Sequence, residues 1–385
     1  MKHLPVLFGY HASNIGNSHI PLSLCRFWNE SGRPATLTVP GADPAFSYPW
    51  LNPVTSGFTR TALYKLTNPG QSRAITEAIF FRREASSSPV YLWAGLSLDI
   101  FRHFREKGAS IIIERINCHR ATSRNILKQA AETWGIPTPE PFPQKEIDDE
   151  NHKLDIADAI FCPSPMVKAS MLENNIPESK LLPSSYGWAP ERFPSISPDK
   201  KENPKPVFLF AGTICMRKGI PLLLEAWNRA ALDAELVLCG KIDEPMRQLV
   251  EQQLATGTVR HIAYTRNIGQ IFSMADAFVF PSLEEGGPMV TYEAMAHGIP
   301  PIVTAMGAGA IAENGKNGIV LPDLDPDSWA AALTDMATNP EKRNLLGAAA
   351  QQRAMDFTWQ NVAMQRALLL EKRYPQLWNQ THEQA

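Results

Sequence analysis

Residues 281–300, Pro-Ser-Leu-Glu-Glu-Gly-Gly-Pro-Met-Val-Thr-Tyr-Glu-Ala-Met-Ala-His-Gly-Ile-Pro, carry two carboxylates eight positions apart, Glu285 and Glu293. Glu285 falls on a glycine-rich turn, and Glu293 falls about one turn into the helix that follows. Pro288 suits the first turn of that helix, and Gly298 with Pro300 makes its stop. An apolar run at 277–281 precedes the turn. In a parallel sheet, ligands gather at the carboxyl ends of strands. The backbone from Gly287 through Pro288 and Met289 to Val290 lies where a helix N-terminus binds anions. An isolated helical glutamate is most often a solvated side chain, but this strand–turn–helix setting reverses that expectation. An anion cradle flanked by carboxylates suits a ligand with phosphates in its middle and hydroxyl-rich sugars at both ends.

Short apolar runs alternate with helical patterns along the whole chain, which predicts α/β architecture with parallel sheets. Strands are expected at 6–9, 36–39, 90–93, 110–114, 159–162 and 181–184 in the first half. A second set falls at 207–211, 235–239, 261–262, 277–281, 301–304 and 319–321. Each set is enough for one doubly wound, Rossmann-like sheet. Between them, residues 189–206 are rich in proline and charge and lack apolar periodicity. The expected division is therefore an N-terminal domain at 1–188, a linker at 189–205 and a second domain at 206–356. A cleft between the two is the expected ligand site.

Composition narrows the function. At 385 residues the chain is long for one core, and 44% hydrophobic with 20% charged residues is a globular balance. A formal net charge of −2 supplies no global field for nucleic acid. No apolar run reaches the roughly 18 residues of a membrane span. Cys25, Cys118, Cys162, Cys215 and Cys239 are scattered and form no paired motif, so a reduced, cytoplasmic protein is expected. Residues 55–130 hold twelve Lys/Arg against five Asp/Glu. Within them, 71–83 mixes apolar with basic residues and ends in Arg82 and Arg83. That stretch is either an ordinary packed helix or a peripheral contact with the inner membrane face.

Two further loops follow predicted strands. Val207-Phe-Leu-Phe-Ala-Gly-Thr-Ile-Cys-Met-Arg-Lys-Gly219 takes a strand through a glycine turn at Gly212 into a helix bearing Arg217 and Lys218 at its start. Cations there oppose the helix dipole and are tolerable if a diphosphate shares the spot. Residues 306–318 form a glycine-rich loop, either a close backbone approach to a ligand or a plain connection. Asp323, Asp325 and Asp327 alternate beside proline and read as the start of the next helix, not as a metal site.

The order strand-Gly-x5-Lys-Gly, strand-Pro-Ser-x2-Glu-Gly-x6-Glu-Ala-Met-Ala-x-Gly-x-Pro, then a glycine-rich loop, resembles family 4 glycosyltransferases over about 205–325. These are retaining enzymes of the GT-B fold. The resemblance implies transfer of a sugar from a nucleotide-diphosphate sugar to an acceptor hydroxyl, in glycan, glycolipid or cell-surface polysaccharide synthesis. It implies no metal and no cofactor beyond the donor itself. Glu293 would hold the ribose, Glu285 would sit by the donor sugar, and Lys218, assisted by Arg217, would bind the diphosphate. His119 would lie near the reacting sugar, and Gly16 would let backbone approach the phosphate. The helix beginning Phe-Thr-Trp at 357–359 and running to about 380 would cross back to the first domain.

The chain departs from the family pattern at Thr213, where an arginine is usual, and at Gly287, where a bulky apolar residue is usual. Ala310 replaces a common glutamate, and Asn14-Ile-Gly-Asn-Ser18 lacks a glycine pair. These differences bear on the donor sugar more than on the reaction class. The rival readings are a GT-B-like epimerase or phosphorylase and a non-catalytic nucleotide-sugar-binding protein.

Overall fold

A computed structural model describes residues 3–13, 16–55, 69–137, 141–193, 205–263, 265 and 267–378. The first sheet comprises β1 (Leu4–Leu7), β2 (Ala35–Val39), β3 (Leu51–Pro53), β4 (Val90–Trp93), β5 (Ile111–Glu114), β6 (Ala159–Cys162) and β7 (Leu181–Pro183). Its spatial order is β3-β2-β1-β4-β5-β6-β7, with every pairing parallel. The second sheet comprises β8 (Val207–Ala211), β9 (Glu235–Cys239), β10 (Val259–Ile262), β11 (Ala277–Phe280), β12 (Pro301–Thr304) and β13 (Ile319–Leu321). It runs β10-β9-β8-β11-β12-β13, again all parallel.

Strands β1, β4, β5, β6, β8, β11 and β12 are buried at every residue, which is why they read as apolar runs, with Glu114 closing β5 and Thr304 closing β12. In each sheet the strand order reverses beside the first strand, at β1/β4 and at β8/β11. A crevice opens at the carboxyl ends of strands flanking such a reversal. The two crevices face one another.

Strand β3 is absent from the sequence expectation. It is a three-residue edge strand ending in Pro53, too short to show alternation. The other predicted strands are present with ends shifted by at most two residues. Asp325 caps the Pro326–Thr338 helix, accepting from the Ser328 N–H at 2.9 Å. The expected linker falls largely on 194–204, outside the described residues. Residues 379–380 of the closing helix, Asn14 and Ile15, and 56–68 of the basic region also lie outside them.

The Trp359–Arg373 helix packs on the His19–Glu30 helix of the first domain. Trp28 Nε1 donates to the Ala363 carbonyl at 2.8 Å, and Arg33 pairs with Glu371 at 2.7 Å. The chain crosses over where Trp188 and Thr358 form a parallel bridge. The basic stretch lies in the Pro69–Glu84 helix, which exposes Ile75, Ile79, Arg82 and Arg83 along one stripe. Among the described residues, no helix is long and apolar enough to cross a membrane.

Candidate functional site

The second-domain wall of the cleft is built by the loops leaving β8 and β11. After Gly212, a tight turn at Met216–Lys218 delivers Arg217 and Lys218, and the Ile220–Ala230 helix follows. Gly219 joins turn to helix at φ 71°, and a Cβ there would lie 2.0 Å from the Pro281 carbonyl oxygen. Only glycine lets the two loops stack backbone on backbone. The Leu283 N–H donates to the Arg217 carbonyl at 2.9 Å, which fixes the stacking.

That contact brings Lys218 onto Glu285. The ammonium and carboxylate meet as an ion pair, Ser282 Oγ donates to Glu285 Oε1 at 2.9 Å, and Lys218 Nζ lies 5.1 Å from the centre of the Phe280 ring. Burial, and then the Arg217 guanidinium, push the Lys218 ammonium down to about 7. Cys215 and Glu284 oppose that shift. Arg217 Nη1 donates to the Glu284 carbonyl at 3.1 Å and to Glu284 Oε2 at 3.2 Å.

The turn ends in the Met289–Ala296 helix, with Pro288 at its N-cap. Its first amides, on Met289 and Val290, have no carbonyl one turn earlier to bond. Pro288 itself offers no N–H, so the backbone N–H groups of this turn that line the cleft are those of Gly287, Met289 and Val290. Glu293 follows one turn later and is buried. Burial raises its carboxyl above the ordinary range, and Arg192 opposes that shift by donating to Oε1 at 2.9 Å. Arg192 comes from the turn after β7, in the segment the sequence marked only as linker. No local signal announced it, because the pair spans two domains.

The cleft has a volume of about 1290 Å³. Gly16, Gly212, Arg217, Lys218, Glu285, Gly287, Pro288, Met289, Val290 and Glu293 all line it, together with Thr213. His119 does not. It is 1% exposed and caps the Arg120–Trp134 helix, with Nδ1 accepting from the Ala121 N–H at 3.2 Å. Its Nε2 therefore carries the proton and faces Asn151 Oδ1 at 2.8 Å. Burial lowers its pKa, and the neighbouring Glu150 opposes that shift. Glu150 also pairs with Arg115 at 2.6 Å, and Arg115 Nη2 donates to the Cys118 carbonyl at 2.8 Å. His119 belongs to the network that holds the β5 loop, and the loop shows Ile116 and Asn117 to the cleft instead. The glycine-rich stretch at 306–318 also lines none of the cleft. Its Gly307 packs over the Phe280 carbonyl, and the Ala310 N–H donates to Tyr292 Oη at 3.0 Å.

The glutamate turn also joins the domains. Glu284 is 1% exposed and accepts from Ser123 Oγ of the first domain at 3.0 Å. Cys118 Sγ donates to the Glu285 carbonyl at 3.3 Å. A Cβ on Gly286 would lie 1.6 Å from the Ile116 carbonyl oxygen, so this close approach admits no side chain. Gly286→Ala is expected to hold the domains apart while leaving each folded. Small-angle scattering should show an expanded particle, and kcat should fall more than tenfold with donor affinity largely kept. An unchanged scattering profile with full turnover would show that this contact is dispensable.

Residues 193–353 match the family model described as "Glycosyl transferases group 1". Over 181 residues the chain is 30% identical to an alpha-maltose-1-phosphate synthase of Mycolicibacterium smegmatis, a match covering 42% of this chain and 46% of that protein. The chain thus matches less than half the length of this relative. In structure it is similar to sucrose-phosphate synthase from Thermosynechococcus elongatus, at 17% identity and a TM-score of 0.73, covering 97% of this chain and 100% of that one. It is also similar to Anabaena Alr3699/HepE in complex with UDP-glucose, at 15% identity and a TM-score of 0.64, covering 96% and 100%. Two parallel, helix-flanked sheets facing a cleft are the GT-B fold, and within it residues 193–353 match the glycosyl transferases group 1.

Proposed function

We propose that the protein is a retaining glycosyltransferase of family 4 type, transferring a sugar from a nucleotide-diphosphate sugar to an acceptor hydroxyl in glycan, glycolipid or cell-surface polysaccharide synthesis. One observation carries this reading: Lys218, Arg217 and the first amides of the Met289–Ala296 helix share a cleft wall with Glu285 and Glu293. The cations and amides suit a diphosphate, and the carboxylates suit hydroxyls on either side of it. The relative and the structural neighbours named above support the same reading.

In the proposed reaction the bond from the anomeric carbon to the diphosphate oxygen breaks as the acceptor oxygen bonds to that carbon from the same face. The departing phosphate takes the acceptor's proton. Lys218, Arg217 and the helix amides stabilise the growing negative charge without a metal. Glu285 as a covalent nucleophile is the weaker reading, because Lys218 and Ser282 already engage its carboxylate. Calorimetry with UDP-, GDP- and ADP-sugars, followed by NMR of the product's anomeric configuration, tests the proposal. Binding of one donor class and a retained configuration are expected. An inverted product, or a trapped glycosyl–Glu285 adduct, would sink the same-face mechanism. Binding without transfer to any acceptor would favour a non-catalytic role.

Glu293→Gln separates function from stability. Ribose hydroxyls would donate to the carboxylate, and its loss is expected to weaken nucleoside diphosphate binding about 10- to 100-fold. Inhibition by inorganic pyrophosphate should stay unchanged. The folded carboxyl titrates above its unfolded value, so its ionised form costs stability at pH 7 and nothing below the unfolded pKa. The variant should therefore melt no lower than wild type at pH 7, and the difference should vanish near pH 4. Equal loss of pyrophosphate inhibition would remove Glu293 from the ribose.

The stripe of Ile75, Ile79, Arg82 and Arg83 supports peripheral contact with an anionic membrane face. Co-sedimentation with vesicles containing phosphatidylglycerol, abolished by Arg82→Glu with Arg83→Glu, is the expected result. Equal pelleting of the variant would remove this role.

A further inference from the structure

The two walls of the cleft differ in charge. Its cations, Arg217, Lys218 and Lys241, come from the second domain, and the turn after β7 adds Arg192 together with Glu191, which pairs with Arg26 at 3.0 Å. The first-domain wall is Gly16, Asn17, His19, Asp43, Ile116 and Asn117. Among the described residues of that wall, Asp43 is the one carrying a formal charge at neutral pH.

Asp43 is held by a built clamp. The loops leaving β1 and β2 are zipped together: the Ala12 N–H donates to the Gly41 carbonyl at 2.9 Å, and the Asp43 N–H donates to the Ala12 carbonyl at 2.9 Å. Ser18 Oγ ties the same loop by donating to the His11 carbonyl at 3.0 Å. His11 Nε2 lies 2.9 Å from Asp43 Oδ1, and the His11 ring rests against Gly41, where a Cβ would come within 3.1 Å of Nδ1. The imidazole thus takes one carboxylate oxygen. Among the described residues the other oxygen has no partner, and the side chain is 43% exposed. A carboxylate braced on one oxygen and open on the other is preorganised to accept hydroxyl hydrogens.

We infer that Asp43, braced by His11, is an acceptor-binding residue, and that the acceptor it takes is a neutral polyhydroxyl group: a sugar, a cyclitol or the sugar head of a glycolipid. The inference rests on the glycosyltransferase reading of the cleft. Three features of the wall define the class. An open carboxylate oxygen can accept from two vicinal hydroxyls. The amide side chains of Asn17 and Asn117, in the same wall, can donate and accept. Among the described residues, no Lys or Arg of that wall stands beside this carboxylate, which disfavours a phosphorylated acceptor. A plain long-chain alcohol would leave Asp43 without a hydroxyl partner and gain only Ile116 as apolar surface. His11 is a positioning residue, since it acts on the acceptor through Asp43.

The test uses the full chain and the donor found by calorimetry, and it reads release of the nucleoside diphosphate above the rate with donor alone. The probes are glucose, mannose, N-acetylglucosamine, fructose and myo-inositol, the phosphates of each, and decanol in detergent micelles. At least one neutral polyol should accelerate release. For that acceptor, Asp43→Asn should raise KM about 10- to 100-fold, the worth of hydrogen bonds to an ionised acceptor, with the donor dissociation constant within twofold of wild type. Asp43→Lys should move the KM ratio toward the phosphorylated counterpart. His11→Ala should raise acceptor KM with kcat affected less, and His11→Gln should restore part of the loss by donating to Asp43. Donor affinity in each variant verifies that it is folded. If decanol or the phosphates alone accelerate release, if no probe does, or if Asp43→Asn leaves acceptor KM unchanged, the assignment is overturned while donor binding keeps the cleft reading intact. If wild type binds no nucleotide sugar, the cleft reading itself fails.

Discussion

Lys218→Ala is expected to lower kcat about 100- to 1000-fold, the range for removing one preorganised charge-stabilising donor. The donor dissociation constant should rise by a smaller factor, because the diphosphate gains most of its negative charge as the sugar bond breaks. Lys218→Arg should recover only part, since a planar guanidinium cannot occupy a site shaped around Gly219, Phe280 and Glu285. The pH dependence gives an independent check. Burial and Arg217 place the ammonium at about 7, so above that pH it increasingly sheds its proton. A bound diphosphate favours the charged form, and donor binding at pH 8 should take up protons. Calorimetry in buffers of different ionisation enthalpy measures that uptake, and Lys218→Met should abolish it. The folded value lies below the unfolded one, so the unfolded chain binds more protons between about 7 and 10.5. The protein without donor added should therefore gain stability as pH rises through that window, and the Met variant should lose this slope. Turnover within threefold of wild type in Lys218→Ala would remove the charge-stabilising role.

The second-domain wall of the cleft was legible because its signals are local. A strand, a glycine turn, a proline and a capped helix lie within about twenty residues, and each has a backbone reason to be there. The same locality leaves side-chain direction unread. His119 follows a strand and looks available, and in the structure its side chain turns inward to cap a helix beside Glu150 and Asn151, the latter 32 residues on. Glu284 and Glu285 are adjacent and chemically identical. On a turn they diverge, one toward Ser123 and Arg217 at the domain contact, the other toward Lys218 in the cleft. Arg192 was hidden for a different reason. Its partner Glu293 lies 101 residues on, and the segment that carries it has the proline and charge of a linker. Asp43 sits in a turn with no apolar periodicity, and only the pairing of β1 with β2 brings His11 to it. Strand periodicity reports burial, and it is silent about which polar side chains two domains will share.

Arg366→Met is expected to be the most destabilising substitution considered, at about 3–5 kcal/mol, the usual cost of removing one partner of a buried ion pair. Arg366 is 1% exposed on the Trp359–Arg373 helix and reaches into the first domain's sheet. Its Nη1 donates to Glu114 Oε2 at 2.7 Å, and its Nη2 donates to Glu114 Oε1 at 3.2 Å and to the Ser185 carbonyl at 2.9 Å. The guanidinium also lies 4.7 Å from the centre of the Phe161 ring. With Arg366 gone, Glu114 would be left 0% exposed with the hydroxyls of Tyr91 and Tyr186 beside it. Leaving that carboxylate buried is what makes the single change severe, so removing it should reverse much of the loss. The combination Arg366→Met, Glu114→Leu and Tyr91→Phe replaces the network by apolar groups and should regain more than half the stability in denaturant unfolding. Catalysis should not recover in step. The network ties the closing helix to the sheet that carries the acceptor wall, and an apolar contact there can slide where a two-pronged ion pair cannot. The triple variant should therefore melt near wild type yet show a raised acceptor KM. A single variant that unfolds within 1 kcal/mol of wild type would mean that the helix is held by its packing on the His19–Glu30 helix alone, and that the pair contributes no more than a surface bridge.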